Sequence, residues 1–219
     1  MRGRTWRWAG VCAMLVVGAP SAHAQQFLIN WSYTIEAGPT FSRAMVLGDG
    51  ALPSSGGWLV GYAAGVTARY HVIDGLALEM GGVYAREGFR REAAPTALST
   101  RVDYVRIPLA LRLRLVHLPV SDLDIFTGPE FGIRVRAQQS GSDLDGPRDI
   151  TAQTSGFVWG WQFGLAYDQP MTEHTWLGTR LRAGYDVTPL GVDGSGFAPP
   201  SGRVHTLSLQ WTLAFRYGS

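Results

Sequence analysis

The side chains most able to do chemistry in this 219-residue chain are its arginines. All 19 basic residues are arginine, set against 17 aspartates and glutamates. Three of them, Arg106, Arg112 and Arg114, fall at even positions of residues 103–117, DYVRIPLALRLRLVH. The odd positions Val105, Ile107, Leu109, Leu111, Leu113 and Leu115 are all aliphatic. Strict period-two alternation gathers the guanidiniums on one face of a strand, whereas a helix would scatter them. Guanidiniums on a shared face have two uses. Left open to water they line an anion pathway; matched with carboxylates they form an ion-pair core.

Catalytic chemistry has little footing. Beyond residue 24 the histidines are His71, His117 and His174, all at turn ends, and His205 beside a loop. His205 and Ser208 come nearest to a base and a nucleophile, but a separation of three puts them on opposite faces of a strand. The histidines stand without clustered Cys, Asp or Glu at ligand spacing, so no metal site and no cofactor is expected. Asp143, Asp145, Asp149 and Asp193 read as solvated loop acids rather than a calcium site. Gly48-Asp49-Gly50 is a turn, because no helix follows it to cradle a phosphate. The sequence points away from an enzyme.

The elements that position the arginines begin after residue 24. Residues 1–24 read as a secretory signal: Arg2, Arg4 and Arg7, an apolar stretch over 8–19, then Ala22-His23-Ala24 as a small-x-small cleavage site. Its removal takes three arginines and no acid, turning a formal net charge of +2 into −1. That excludes a nucleic-acid partner. Cys12, the only cysteine, leaves with the signal, so no disulfide or thiol chemistry is expected.

Residues 25–219 carry eight alternating segments and no amphipathic helix. They fall near 31–41, 58–72, 76–89, 103–117, 123–137, 156–168, 177–186 and 205–217. Long polar gaps at 48–57, 90–100, 138–154 and 188–202 alternate with short turns at 73–75, 119–122 and 169–173. Short turns at one end and long loops at the other are the signature of an eight-stranded antiparallel up-and-down transmembrane β-barrel. A soluble barrel has the same period with its faces exchanged. The polar face here is Gly, Ala, Ser, Thr and Arg, which suits a narrow lumen. The apolar face carries aromatics near strand ends, among them Trp31, Tyr33, Tyr70, Phe157, Trp159, Tyr167, Trp211 and Tyr217, as two interfacial girdles would. Placed inside, the charged set is Glu36, Glu79 and Glu130 with Arg69, Arg106, Arg112, Arg114, Arg134, Arg136, Arg180, Arg182 and Arg216. Eight strands leave a lumen that side chains fill, so a plugged ion-pair core is favoured over conduction. The surplus arginines are expected near the ends, where water or lipid phosphate reaches them.

Residues 104–115, with Tyr104, Ile107, Pro108, Leu109 and Leu111, resemble the Y-x-x-I-P-L-x-L signature of the PorT-like outer-membrane β-barrel domain family. Thr127-Gly128-Pro129-Glu130-Phe131-Gly132, Phe163-Gly164-Leu165-Ala166-Tyr167 and Leu181-Arg182-Ala183-Gly184-Tyr185-Asp186 resemble its later strands. The resemblance implies a Gram-negative outer-membrane barrel. Some relatives are linked to protein secretion and others are treated as porin-like. Residues 210–217 resemble the terminal strand read by the barrel-insertion machinery, with Thr212 where glycine is usual and Gly218-Ser219 trailing. The expectation is a monomeric, non-enzymatic protein of the outer membrane, with lipid and the insertion machinery as partners and external loops for envelope or surface interactions. A narrow porin or solute channel and a secretion-apparatus component are the alternatives.

Overall fold

The computed structural model describes residues 30–47, 56–93, 96–118, 121–141, 146–188 and 203–218. The signal segment and most of the loop acids (Asp143, Asp145 and Asp193) lie outside the described residues.

Eight long strands follow one another: β1 Trp31–Leu47, β2 Leu59–Ile73, β3 Leu76–Ala93, β4 Thr96–Leu118, β5 Ser121–Gly141, β6 Phe157–Thr172, β7 Thr175–Asp186 and β8 Arg203–Gly218. Each pairs antiparallel with the next. The seam between β8 and β1 closes the sheet, from Ser32↔Gly218 to Leu47↔Arg203. The fold is an all-β, eight-stranded up-and-down barrel, and closure leaves no strand edge unpaired toward lipid. Two short bridges decorate the long-loop end, where Gly56–Gly57 pairs with β3 and Arg148–Asp149 with β5. The turn between β2 and β3 passes through Gly75 at φ 80, a left-handed backbone that favours glycine.

The faces divide as the alternation requires. On β4, Leu111 and Leu113 are 47% and 46% exposed, whereas Arg112 between them is 2% exposed. Aliphatic and aromatic side chains form the outer wall; the guanidinium turns inward. Along β2 the outward Tyr62 and Tyr70 stand eight residues apart. At a tilt near 40° that spans roughly 20 Å, close to the apolar band of an outer-membrane barrel.

Strand length departs from the sequence expectation. The polar stretch 90–100 is not a loop: β3 runs to Ala93 and β4 starts at Thr96. Cross-strand pairs from Arg90↔Ser99 to Ala93↔Thr96 extend the ladder beyond the bilayer. Alternation is strict only where one side meets lipid, so a two-sided polar hairpin leaves little periodic signal. Register also shifts twice between β4 and β5, at Asp103/Tyr104 and at Arg114/Val116. Each shift is a β-bulge, which re-aims the side chains beyond it.

Candidate functional site

The charged interior is the one site these strands assemble from many parts. Its lower layer, toward the short turns, takes at least one charge from every strand. Glu79 of β3 is the hub: Arg112 reaches it at 2.9 Å, Arg180 at 3.3 Å and Arg69 at 3.5 Å. Arg180 and Arg182 of β7 reach past β8 to Glu36 of β1, each at 3.1 Å. Arg112 also meets Asp124 of β5 at 3.1 Å, and Arg216 of β8 meets Asp168 of β6 at 3.2 Å. Arg69 of β2 touches Asp124 and Asp168 at 3.6 and 3.5 Å. Hydroxyls and amides fill the gaps. Arg180 donates to the Thr34 hydroxyl at 3.0 Å, and Arg182 to Gln210 Oε1 at 3.3 Å.

Phe126 stands inside this layer as an apolar spacer. The guanidinium carbons of Arg112 and Arg182 lie 5.0 and 5.7 Å from its ring centroid, within cation–π range. Gly164 makes room for it, since an added Cβ would meet Phe126 Cζ at 2.2 Å.

The upper layer inverts the ratio. Arg106 of β4 is shared by three carboxylates: Asp186 at 2.8 Å, Glu130 at 3.1 Å, and Glu87 in direct contact. The ring of Tyr104 packs 4.8 Å beneath the same guanidinium.

Of the twelve charges expected in the lumen, nine are buried there: Glu36, Arg69, Glu79, Arg106, Arg112, Glu130, Arg180, Arg182 and Arg216. Arg134 sits at the long-loop mouth, donating to the backbone and hydroxyl oxygens of Thr154. Arg114 sits at the opposite mouth, 24% exposed, and bonds Asp74 at 2.9 Å. Arg136 is a correction. The bulge opposite Asp103 turns it out of the barrel, where it is exposed. The expected surplus of arginine is a second correction. Among the described residues six buried arginines face eight buried carboxylates in the lumen; Asp103, also buried, lies on the outer face against Arg86. Asp122, Asp124 and Asp168 supply most of the difference. Asp122 falls in an expected turn, and Asp124 and Asp168 lie at the ends of their segments, next to the expected turns.

The candidate catalytic pair does not form. His205 stacks on Tyr185 at 5.6 Å, with Nδ1 at 2.9 Å from the Asp186 carbonyl, while Ser208 faces inward with Gln210 and Thr212. A different pair does: Ser32 Oγ and His71 Nε2 lie 3.2 Å apart at the short-turn mouth. Ser32 is fully buried, and the lumen pocket beside His71 holds only about 10 Å3, too small to admit a substrate. Sequence spacing had no means of finding this pair, because the two residues are 39 apart on different strands. Asp149 is exposed and accepts the Thr151 amide at 2.8 Å, a turn contact.

A closed meander with an apolar exterior and a charged interior defines a transmembrane β-barrel of the outer membrane. Residues 23–188 match the outer membrane protein beta-barrel domain, and the chain belongs to that family. It is an integral protein of the outer membrane. No curated protein matches the sequence. Among solved structures it is similar to neisserial surface protein A, at 15% identity over 85% of this chain and 97% of that one, with a TM-score of 0.47. The outer membrane protease OmpT of Escherichia coli gives 7% identity, 87% and 97% coverage and a TM-score of 0.45. OprG of Pseudomonas aeruginosa gives 11%, 86% and 96%, with 0.44.

Proposed function

We propose that the chain is a non-enzymatic, monomeric outer-membrane barrel whose lumen is plugged by its ion-pair network and whose long-loop end carries envelope or surface interactions. What supports the plug is a paired charge that spans the lumen, Arg180 on β7 with Glu79 on the opposite strand β3, flanked by Arg180 and Arg182 gripping Glu36 on β1. A path for a hydrated ion would have to part these bonds. The balance of charge also removes the ground for anion selectivity, since carboxylates outnumber arginines among the described buried residues.

The test is planar-bilayer recording of the purified protein. A silent barrel is expected; steady single-channel steps would replace this reading with a narrow channel. The block around Tyr104, Ile107 and Pro108 favours a second reading, a PorT-like component of a secretion apparatus. Cross-linking in intact envelopes separates the two. Recovery of the insertion machinery alone supports the first, and recovery of a stoichiometric secretion partner supports the second.

A further inference from the structure

We propose that the outer wall binds one phosphorylated lipid of the external leaflet, headgroup on an arginine patch at the long-loop rim of β3, β4 and β5 and acyl chain in a furrow below it across β1 to β4. The patch is made by Arg86, Arg101 and Arg136, set on one face around Asp103. Asp103 is the register partner of Arg86 on one side and of Arg136 on the other. Arg86 grips it through Nε at 2.7 Å and Nη2 at 2.9 Å, and rests 5.2 Å from the Tyr62 ring. Its guanidinium is thereby fixed. Arg101 lies one strand period above Asp103 on the same face, and both Arg101 and Arg136 are exposed. Arg86 takes up Asp103, and among the described residues no carboxylate is bonded to Arg101 or Arg136. Asp149, exposed at the same end, is adjacent to Arg148 and adds no net charge. At the other rim the charges differ: Arg114 is bonded to Asp74, and Glu173 is exposed. The basic surface therefore belongs to the external end.

The wall below the patch is hollowed. Between Met80↔Leu109 and Val83↔Arg106 the paired register of β3 and β4 skips a step, where Pro108 has no amide to donate. Gly82 lies in that step with nothing within 4 Å of an added Cβ. The result is an outward apolar furrow of about 470 Å3, walled by Ile35, Val66, Met80, Ile107 and Leu109. It adjoins a larger hollow of about 840 Å3 that reaches across to Pro129 and Trp161. Gly82 is four residues from Arg86, roughly 13 Å along the strand, with Tyr84 between them. An acyl chain in the furrow thus ends beneath the patch. Guanidiniums bind phosphate bidentately and by charge, and a headgroup of no net charge would leave the surplus unmatched.

Native mass spectrometry of the full chain with hexa-acylated bisphosphorylated lipid A, and with its dephosphorylated form, tests this. One lipid A is expected to stay bound per barrel, and the dephosphorylated form to be retained at least tenfold less. R101Q/R136Q should lower lipid A retention at least tenfold, while R114Q at the other rim leaves it unchanged. Gly82→Phe, whose side chain enters open space, should weaken retention of both forms by filling the furrow. Equal retention by wild type and R101Q/R136Q, or equal retention of the two lipids, would overturn the proposal. Should R101Q/R136Q fail to give a folded barrel, the lipid comparison on wild type and on Gly82→Phe decides.

Discussion

Glu79 shows how much a single buried charge matters in this lumen. It meets three guanidiniums, and no other described carboxylate in the network holds Arg112 and Arg180 together. Glu79→Gln keeps the shape and removes the charge, leaving buried cations uncompensated. A loss of about 3–5 kcal/mol is expected, read as a lower temperature at which the compact gel band of the barrel converts to the unfolded one. Gly164→Leu tests packing instead of charge. Its Cβ would run into Phe126 and the Leu181 carbonyl, so overpacking is expected to lower stability by about 1–3 kcal/mol or more. The arginines and the glutamates at 36, 79 and 130 were legible in the sequence because they sit mid-strand, where alternation fixes the face. Asp124 and Asp168 were passed over: each lies at the end of its segment beside a short turn, where an acid reads equally as a turn residue. Phe126 was invisible for another reason, since an aromatic on a polar face makes sense only once two guanidiniums are seen beside it.

At the scale of the strand, length and register carry the surprises. The eight strands and their order follow from period-two alternation and from the spacing of turn residues, both printed plainly in the chain. The bulges are not, because a single extra residue changes no composition and only shifts the phase of the residues beyond it. The bulge at the Asp103/Tyr104 step decides where Arg136 points. A cysteine at position 136 is expected to react with a membrane-impermeant maleimide added to intact cells, whereas one at 182 stays unlabelled. Protection at 136 would place that part of β5 in the phase the sequence alone implies. The tall β3–β4 hairpin was hidden likewise: above the lipid both faces are wet, and polar strand and polar loop read alike.

For the whole molecule, the barrel is stapled in layers by charges drawn from strands far apart. Among the described residues no hairpin contains a complete ion-pair layer, so no part of the sheet has reason to melt by itself. Loss of strand signal in far-ultraviolet dichroism and loss of the compact gel band should give one common midpoint; two separated midpoints would mean that the layers are independent. Whole-fold architecture was the most legible level, since a repeated two-residue period and alternating gap lengths specify a closed meander. The identity of whatever the loops meet is written at no level of pattern.

The bond from Arg180 to Glu36 joins residues 144 apart in the chain, from β7 past the closing strand β8 to β1. During synthesis Glu36 is made long before any arginine that will neutralise it. A half-formed sheet delivered into acyl chains would carry bare carboxylates along its concave side, at prohibitive desolvation cost. Biogenesis must therefore keep that concave side sheltered from hydrocarbon until the last strand docks against the first, and the timing of release is written into the order in which opposite charges emerge.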